Sequence, residues 1–260
     1  MCQIYHANIL WVLGYPDQAQ QQSDEALTLA REVKLSTRAA NHKLARTLCQ
    51  SVLYVLLERG DLEAASDQVE EHVALSIEYV LEHHLLQQGR FHQAMVRFRE
   101  GEIVESAAFI RQFPSLWRSL GIGLAMPQFF AYQGEIAGRL GEIDTGLAAL
   151  SEGLCLVEQT DERHYEAELY RLQGELLQSR GSGDAAEAER KFRCALQVAR
   201  HQQAKSFELR AATSLARLWQ SQDKHRQAYS LLEPVYDWFT EGFDTKELQE
   251  AKALLESLAT

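Results

Sequence analysis

Nine histidines, four cysteines and 37 carboxylates are the groups in this chain that could hold a metal, attack a carbonyl or move a proton. Cysteines 2, 49, 155 and 194 are widely spaced and form no CxxC pair, so neither a local zinc motif nor a disulfide framework is indicated. They read as buried or idle thiols of a reducing compartment. His83 and His84 are adjacent, but HExxH and ExxH are both missing, and neighbours on a helix point about 100° apart. The pair reads as surface histidines. Glu166, Glu168 and Glu175 could supply paired carboxylates for acid–base work, yet Arg171 stands three to five residues from each and ion pairing accounts for them. No GxxxxGK[ST] loop exists, and Gly121-Ile-Gly123 and Gly181-Ser-Gly183 read as helix-to-helix turns without the strand that would make them phosphate cradles. No nucleophile elbow with a partnered histidine is visible. The chemistry-bearing residues therefore predict no enzyme, no cofactor and no metal.

The elements carrying these residues are helical. The 260 residues include 37 Leu and 32 Ala against 12 Val, 8 Ile and 9 Thr, with 15 Gly and 4 Pro, a balance that favours helix over strand. A net charge of −11 disfavours phosphate backbones and acidic membrane surfaces as main partners, so no nucleic acid and no membrane is expected. The longest apolar run, Val52 to Leu57, is six residues, far short of the roughly 18 that span a bilayer. No secretory signal follows Met1, and a cytoplasmic location is expected. The first helix starts almost at Met1 with no capping residue before it, as in a segment cut from a longer chain.

A period organises the helices. Gly14, Gly60, Gly101, Gly141, Gly181 and Asp223 recur at intervals of 46, 41, 40, 40 and 42 residues. Small residues precede each mark by seven (Ala7, Ala94, Gly134, Gly174, Ala216) and follow it by about five (Ala19, Ala65, Ser106, Gly146, Ala186 or Ala188, Ala228). An apolar residue comes four later (Val69, Ile110, Leu150, Phe192, Leu232). Small side chains at the crossing points allow two antiparallel helices to pack closely, and a left-handed residue ends the first of them. Leu53, Ser23 and His72 depart from the pattern. The reading is an all-α, TPR-like right-handed α-solenoid of about six helical hairpins. Its units are about 1–35, 36–86, 87–124, 125–160, 161–203 and 204–240 of a single 1–260 repeat domain, with a C-terminal capping helix at 244–258. HEAT-like pairs and a non-repetitive bundle are the alternatives. Pro16 and Pro127 fit first-turn positions, and Asp184-x-x-Glu187 and Asp244-x-x-Glu247 resemble capping boxes.

If the hairpins are right, first-helix residues beside the packing seam line a concave face, where such arrays bind. Counting from the small residues places Tyr54, Phe91, Met95 and Phe98 on an apolar part of that face. Arg139, Arg171, Glu175, Arg210 and Arg217 fall on a charged part. The expected partner is a protein or peptide, its apolar portion at Phe91, Met95 and Phe98 and its polar groups at the arginines. Packing between repeats is the other reading of the aromatics, and pairing with nearby glutamates that of the arginines. A small effector enclosed by the groove is the alternative ligand, distinguished by a deep pocket instead of an open trough.

Three blocks are similar to a known family: YEAELYRLQGELL from Tyr165, DAAEAERKFRCALQVARHQQAKSFELRAATSLARLW from Asp184, and PVYDWFTEGFDTKELQEAKALLESL from Pro234. They resemble the C-terminal tetratricopeptide-like region of bacterial multidomain signalling ATPases, the adenylate/guanylate cyclase–AAA ATPase–TPR proteins and related transcriptional regulators. LGYPDQA and MPQFFAYQGEIAGRLGEIDTGLAAL fit the same region, whereas Val73 to Phe113 is looser. The resemblance implies a sensor or interaction arm that gates an ATPase or cyclase module in cis or in trans. It transfers no catalysis, because the cyclase aspartates and the ATPase phosphate loop lie outside this chain. The related repeats that clamp a C-terminal carboxylate use Lys and Asn at inward positions, and only Asn8 matches. Trp238, Phe239 and Phe243 belong to the third block and read as packing of the turn before the last helix.

Overall fold

The computed structural model describes residues 2–32, 37–51 and 55–259. Among them are fourteen α-helices and no strand, as a Leu- and Ala-rich chain with few β-branched residues favours. The chain divides into two compact units, Met1–Phe113 and Pro114–Thr260. No helix of the described residues is long and apolar enough to cross a membrane.

The first unit opens with the hairpin α1 (Cys2–Leu13) and α2 (Pro16–Glu32). Next come α3 (Arg38–Ser51), the one-turn α4 (Leu57–Arg59) and α5 (Leu62–Glu78), with α3 packed on α5. Helix α6 (His83–Glu100) lies on α5 and also touches α3. Helix α7 (Ile103–Ser119) carries the division between the units and contains Pro114. The second unit holds the hairpins α8 (Met126–Arg139) with α9 (Ile143–Thr160), α10 (Glu166–Arg180) with α11 (Ala185–His201), and α12 (Lys205–Gln220) with α13 (His225–Tyr236). Helix α14 (Lys246–Leu258) packs on both α12 and α13.

The small-residue pattern has a direct steric meaning. A Cβ built on Gly134 would fall 2.5 Å from Leu150, and one built on Gly174 would fall 2.5 Å from the Phe192 ring, both far inside contact distance. The glycine of the first helix is thus the socket for the apolar residue of the second, which draws the two backbones together. Ala19, Ala65, Ala188 and Ala228 are fully buried at the matching points, and so are Val69, Ile110, Leu150, Phe192 and Leu232. In the second unit the contacts of α10 to α14 join into one core running from Leu177 to Leu258.

Every turn mark has positive φ, from 59° at Asp223 to 141° at Gly181. A second series, which composition does not reveal, ends the second helices: Val80, Gly121, Asp161, Gln203 and Gly242, at intervals of 41, 40, 42 and 39 residues, all with positive φ. Three of these are not glycine, so no residue type flags them.

Pro16 opens α2 and Pro127 sits in the first turn of α8, as expected. The capping box expected at Asp184 does not form. Asp184 makes no cap hydrogen bond, and its carboxylate accepts instead from Arg180 Nε at 2.7 Å, a bond in which both partners are charged. Helix α14 is entered through Thr245, and Glu247 in its first turn accepts from Arg210 Nη2 at 2.7 Å.

Candidate interaction surface

The first helices α10 and α12 share a polar stripe that α14 extends, because positions one repeat apart fall side by side when hairpins stack. On α10, Glu168 takes a bidentate grip on Arg171, Nε at 2.8 Å and Nη2 at 2.6 Å. Arg171 also donates through Nη1 to Glu175 one turn on, and Ser214 of α12 donates to the same Glu175 carboxylate at 3.0 Å. Arg210 of α12 stands 3.6 Å from Glu168 and forks onto Glu247 of α14, Nε at 3.0 Å and Nη2 at 2.7 Å. Further along, Arg217 reaches Glu250 at 2.7 Å and Gln220 donates to Ser257 at 2.9 Å. Helix α14 therefore stands beside α12 as another first helix would, tied to it by side chains as well as by its apolar face.

This ladder changes character along its length. Arg171 and Arg210 have side chains only 14% and 16% exposed, and Glu168 only 7%. Arg217 and Glu250 are 45% and 40% exposed. Burial works against the Arg171 charge, but the Glu168 and Glu175 carboxylates outweigh it and hold the guanidinium above its ordinary value. The inner rungs are satisfied structural ion pairs. The outer rungs, Glu175, Arg217 and Glu250, offer their charge to solvent with geometry already set by the rungs beneath. Four glutamates against three arginines leave the stripe slightly acidic, which fits no phosphate-rich partner.

The residues expected on the apolar part of the groove lie elsewhere. Phe91, Met95 and Phe98 are wholly buried, and Phe91 stacks on Phe113 with ring centroids 4.3 Å apart. Their spacing of four and three residues makes one apolar face of α6, and removing such a face from water drives it into the core of its own unit, about 25 cal/mol per Å² of area. They present no surface to a ligand. Tyr54 falls outside the described residues. Arg139 is exposed near the end of α8. Arg171, Glu175, Arg210 and Arg217 do come together, in ion pairs completed by Glu168 of α10 and by Glu247 and Glu250 of the helix read from sequence as a cap. Glu247 stands 37 residues after Arg210 and Glu250 33 after Arg217, both short of the usual period, which hid them.

On the opposite edge of these hairpins, Glu189, Arg193, Trp219, Lys224, Arg226 and Leu231 line a concavity of about 550 Å³, with the Arg193 guanidinium 5.7 Å above the Trp219 ring. It is an open trough rather than an enclosed pocket. Near α14, Phe239 is buried and meets Trp238 edge-on at 5.3 Å, while Phe243 stays half exposed.

No family model and no curated protein matches the chain. Solved structures do. A Rap protein complexed with competence and sporulation factor superposes with a TM-score of 0.66 at 16% identity, over 99% of this chain and 79% of that one. BtubC (BKLC) from P. vanneervenii gives 0.59 at 14% identity, over 92% of each chain. A Signal Transduction ATPase with Numerous Domains carrying a tetratricopeptide repeat sensor, from Pyrococcus horikoshii, gives 0.56 at 12% identity, over 98% of this chain and 41% of that one. The hairpin pattern and these likenesses establish a tetratricopeptide-like, all-α repeat fold.

Proposed function

We propose that the chain is a non-catalytic protein-interaction and sensing scaffold, and more narrowly the regulatory repeat arm of a bacterial signal-transduction ATPase or cyclase, acting in cis or in trans. The observation that carries the scaffold reading is the charge ladder: buried rungs fix the positions of exposed Glu175, Arg217 and Glu250, so a polypeptide can meet them without first ordering them. Such preorganised, near-neutral stripes suit the mixed charges of a protein partner. The narrower reading is supported by the resemblance of the Tyr165, Asp184 and Pro234 blocks to repeat arms of signalling ATPases, and by a shared fold with the repeat sensor of the Pyrococcus protein.

The test immobilises the wild-type chain and an Arg217→Glu/Glu250→Lys variant, whose substitutions lie on exposed rungs and keep a pair of opposite sign. Proteins retained from a bacterial extract are assayed for ATP hydrolysis and cyclase activity. Nucleotide-dependent activity retained by the wild type and depleted on the variant is the expected result. Equal retention on both would remove the ladder from the interface, and retained proteins without either activity would refute the signalling-arm reading.

A further inference from the structure

The first unit contains a cluster that the interaction reading leaves unused. Cys49 on α3, His72 on α5 and His92 on α6 each bring one ligand atom to within 4.8 Å of the others, and all three residues are 0–1% exposed. None of the four imidazole nitrogens has a hydrogen-bond partner. A backbone contact with Leu85 favours protonated His72 but falls short of hydrogen-bond geometry. Leaving a buried polar group unpaired costs about 1–3 kcal/mol, and here the unpaired nitrogens of two helices face one thiol. The repeat pattern marks His72 as an exception. Seven residues after the small residue of each second helix stand Ala26, His72, Phe113, Gly153, Ala195 and Val235, and only His72 is polar. Gly89 makes room for it: a Cβ there would lie 3.3 Å from His72 Nδ1.

We propose that the first unit binds one thiophilic transition-metal ion, through Cys49 Sγ and one ring nitrogen each of His72 and His92. The donor set decides the class of metal. One thiolate and two imidazoles suit copper and zinc rather than magnesium or calcium, which take oxygen ligands. Charge then selects monovalent copper. A thiolate cancels the charge of Cu⁺, whereas Zn²⁺ would leave a net positive charge in a dry site whose cluster includes no carboxylate. Both rings are held neutral, as ligands must be, since burial pulls His72 down to about 4 and His92 to about 3, the latter with help from His72. Burial pushes the Cys49 thiol up, so binding exchanges its proton for the metal, one proton released per ion. The bound ion would tie three helices of the unit through side chains that otherwise destabilise it.

The test uses the full chain stripped with a chelator. Cu⁺ is offered in competition with a chromophoric copper chelator, Zn²⁺ in competition with a chromophoric zinc chelator, and Cys49→Ala and His92→Leu variants are treated alike. One Cu⁺ per wild-type chain is expected, raising its thermal midpoint. Each variant should bind at least about 100-fold more weakly, the upper range of losses from altered outer-shell groups, and show no metal-dependent rise. Alanine at position 49 is small and apolar, and a retained helical signal in Cys49→Ala separates loss of the ligand from loss of the fold. Absence of uptake, or uptake unchanged in both variants, would overturn the site, and preference for Zn²⁺ would overturn the charge argument for copper.

Discussion

Replacing Gly174 by Ala places one methyl group against the ring of Phe192, and the structure supplies the magnitude. The new Cβ would lie 2.5, 2.7 and 2.9 Å from Phe192 Cε1, Cδ1 and Cζ, against a comfortable carbon–carbon separation of about 3.5–4.0 Å. The ring must retreat by roughly 1 Å, yet Phe192 is fully buried in a core that includes Ala188, Ala195 and Leu196, and interiors are close-packed. Overpacking of this kind costs about 1–3 kcal/mol. Ala gains up to about 1 kcal/mol over Gly in a helix interior, so the single variant alone is ambiguous. Gly138→Ala resolves this, because the sole close neighbour of its Cβ is the flexible end of Leu176 at 2.7 Å. Propensity largely cancels in the difference, and Gly174→Ala should be less stable than Gly138→Ala by about 1–3 kcal/mol. The assay is urea unfolding followed by circular dichroism, read as a change in midpoint at constant slope. Phe192→Leu adds a cycle: it should be less damaging in the Gly174→Ala background, with a coupling of about 0.5–3 kcal/mol. Equal stability of the two alanine variants, with no coupling to Phe192, would refute the socket account of hairpin packing.

Arg171→Met, which takes the bidentate partner from buried Glu168 and leaves it Arg210 at 3.6 Å, should cost up to about 3–5 kcal/mol, whereas Arg217→Met on the exposed rung should cost under about 1 kcal/mol by the same urea assay. Glu208 gives a pH dependence. Burial opposes its charge, but bonds from Lys205 and Arg200, each 2.8 Å, hold it below its ordinary value of 4.5. A depressed carboxylate contributes stability that is complete above 4.5 and is lost as pH falls from there through the lower folded value. Glu208→Gln should therefore flatten the acid side of the stability curve in that window, and an unchanged slope would refute the assignment. Asp223 sits at φ 59°, where L side chains are strained, so Asp223→Gly should be neutral or stabilising by up to about 1 kcal/mol, while Asp223→Ala should destabilise. Thermal midpoints of the two variants check the order.

The hairpin turns were legible because their chemistry is local: a left-handed residue must end the first helix, and glycine is the residue that announces it. The joints between hairpins were opaque for the complementary reason, since Val80, Asp161 and Gln203 adopt the same conformation without a tell-tale residue type. Phe91, Met95 and Phe98 show the limit of face counting. A register that places them one position from the seam cannot distinguish a groove lining from a core when α6 is buried around most of its circumference. Arg171, Arg210 and Arg217 share one stripe, whereas Arg139 is not among its ion pairs, and the partners Glu247 and Glu250 come from a helix out of period. His72 was visible as a departure from the repeat, yet its companions Cys49 and His92 stand 23 and 20 residues away in sequence, and only the packing of three helices joins them.

The strained joints also bear on how the molecule would come apart under load. Within the second unit, the turn inside the α8/α9 hairpin is a relaxed glycine, while Asp161 and Gln203 hold their left-handed angles at the ends of whole hairpins. Each such residue stores about 1–2 kcal/mol that is released when its joint opens. A pulled segment from α8 to α11, whose internal turns are the glycines 141 and 181, should then give way at its joints first and pay out in lengths of one hairpin. With 42 residues between Asp161 and Gln203, each event would lengthen the tether by about 140 Å of extended chain. The repeat that sets the sequence period would reappear as the step size of a mechanical staircase.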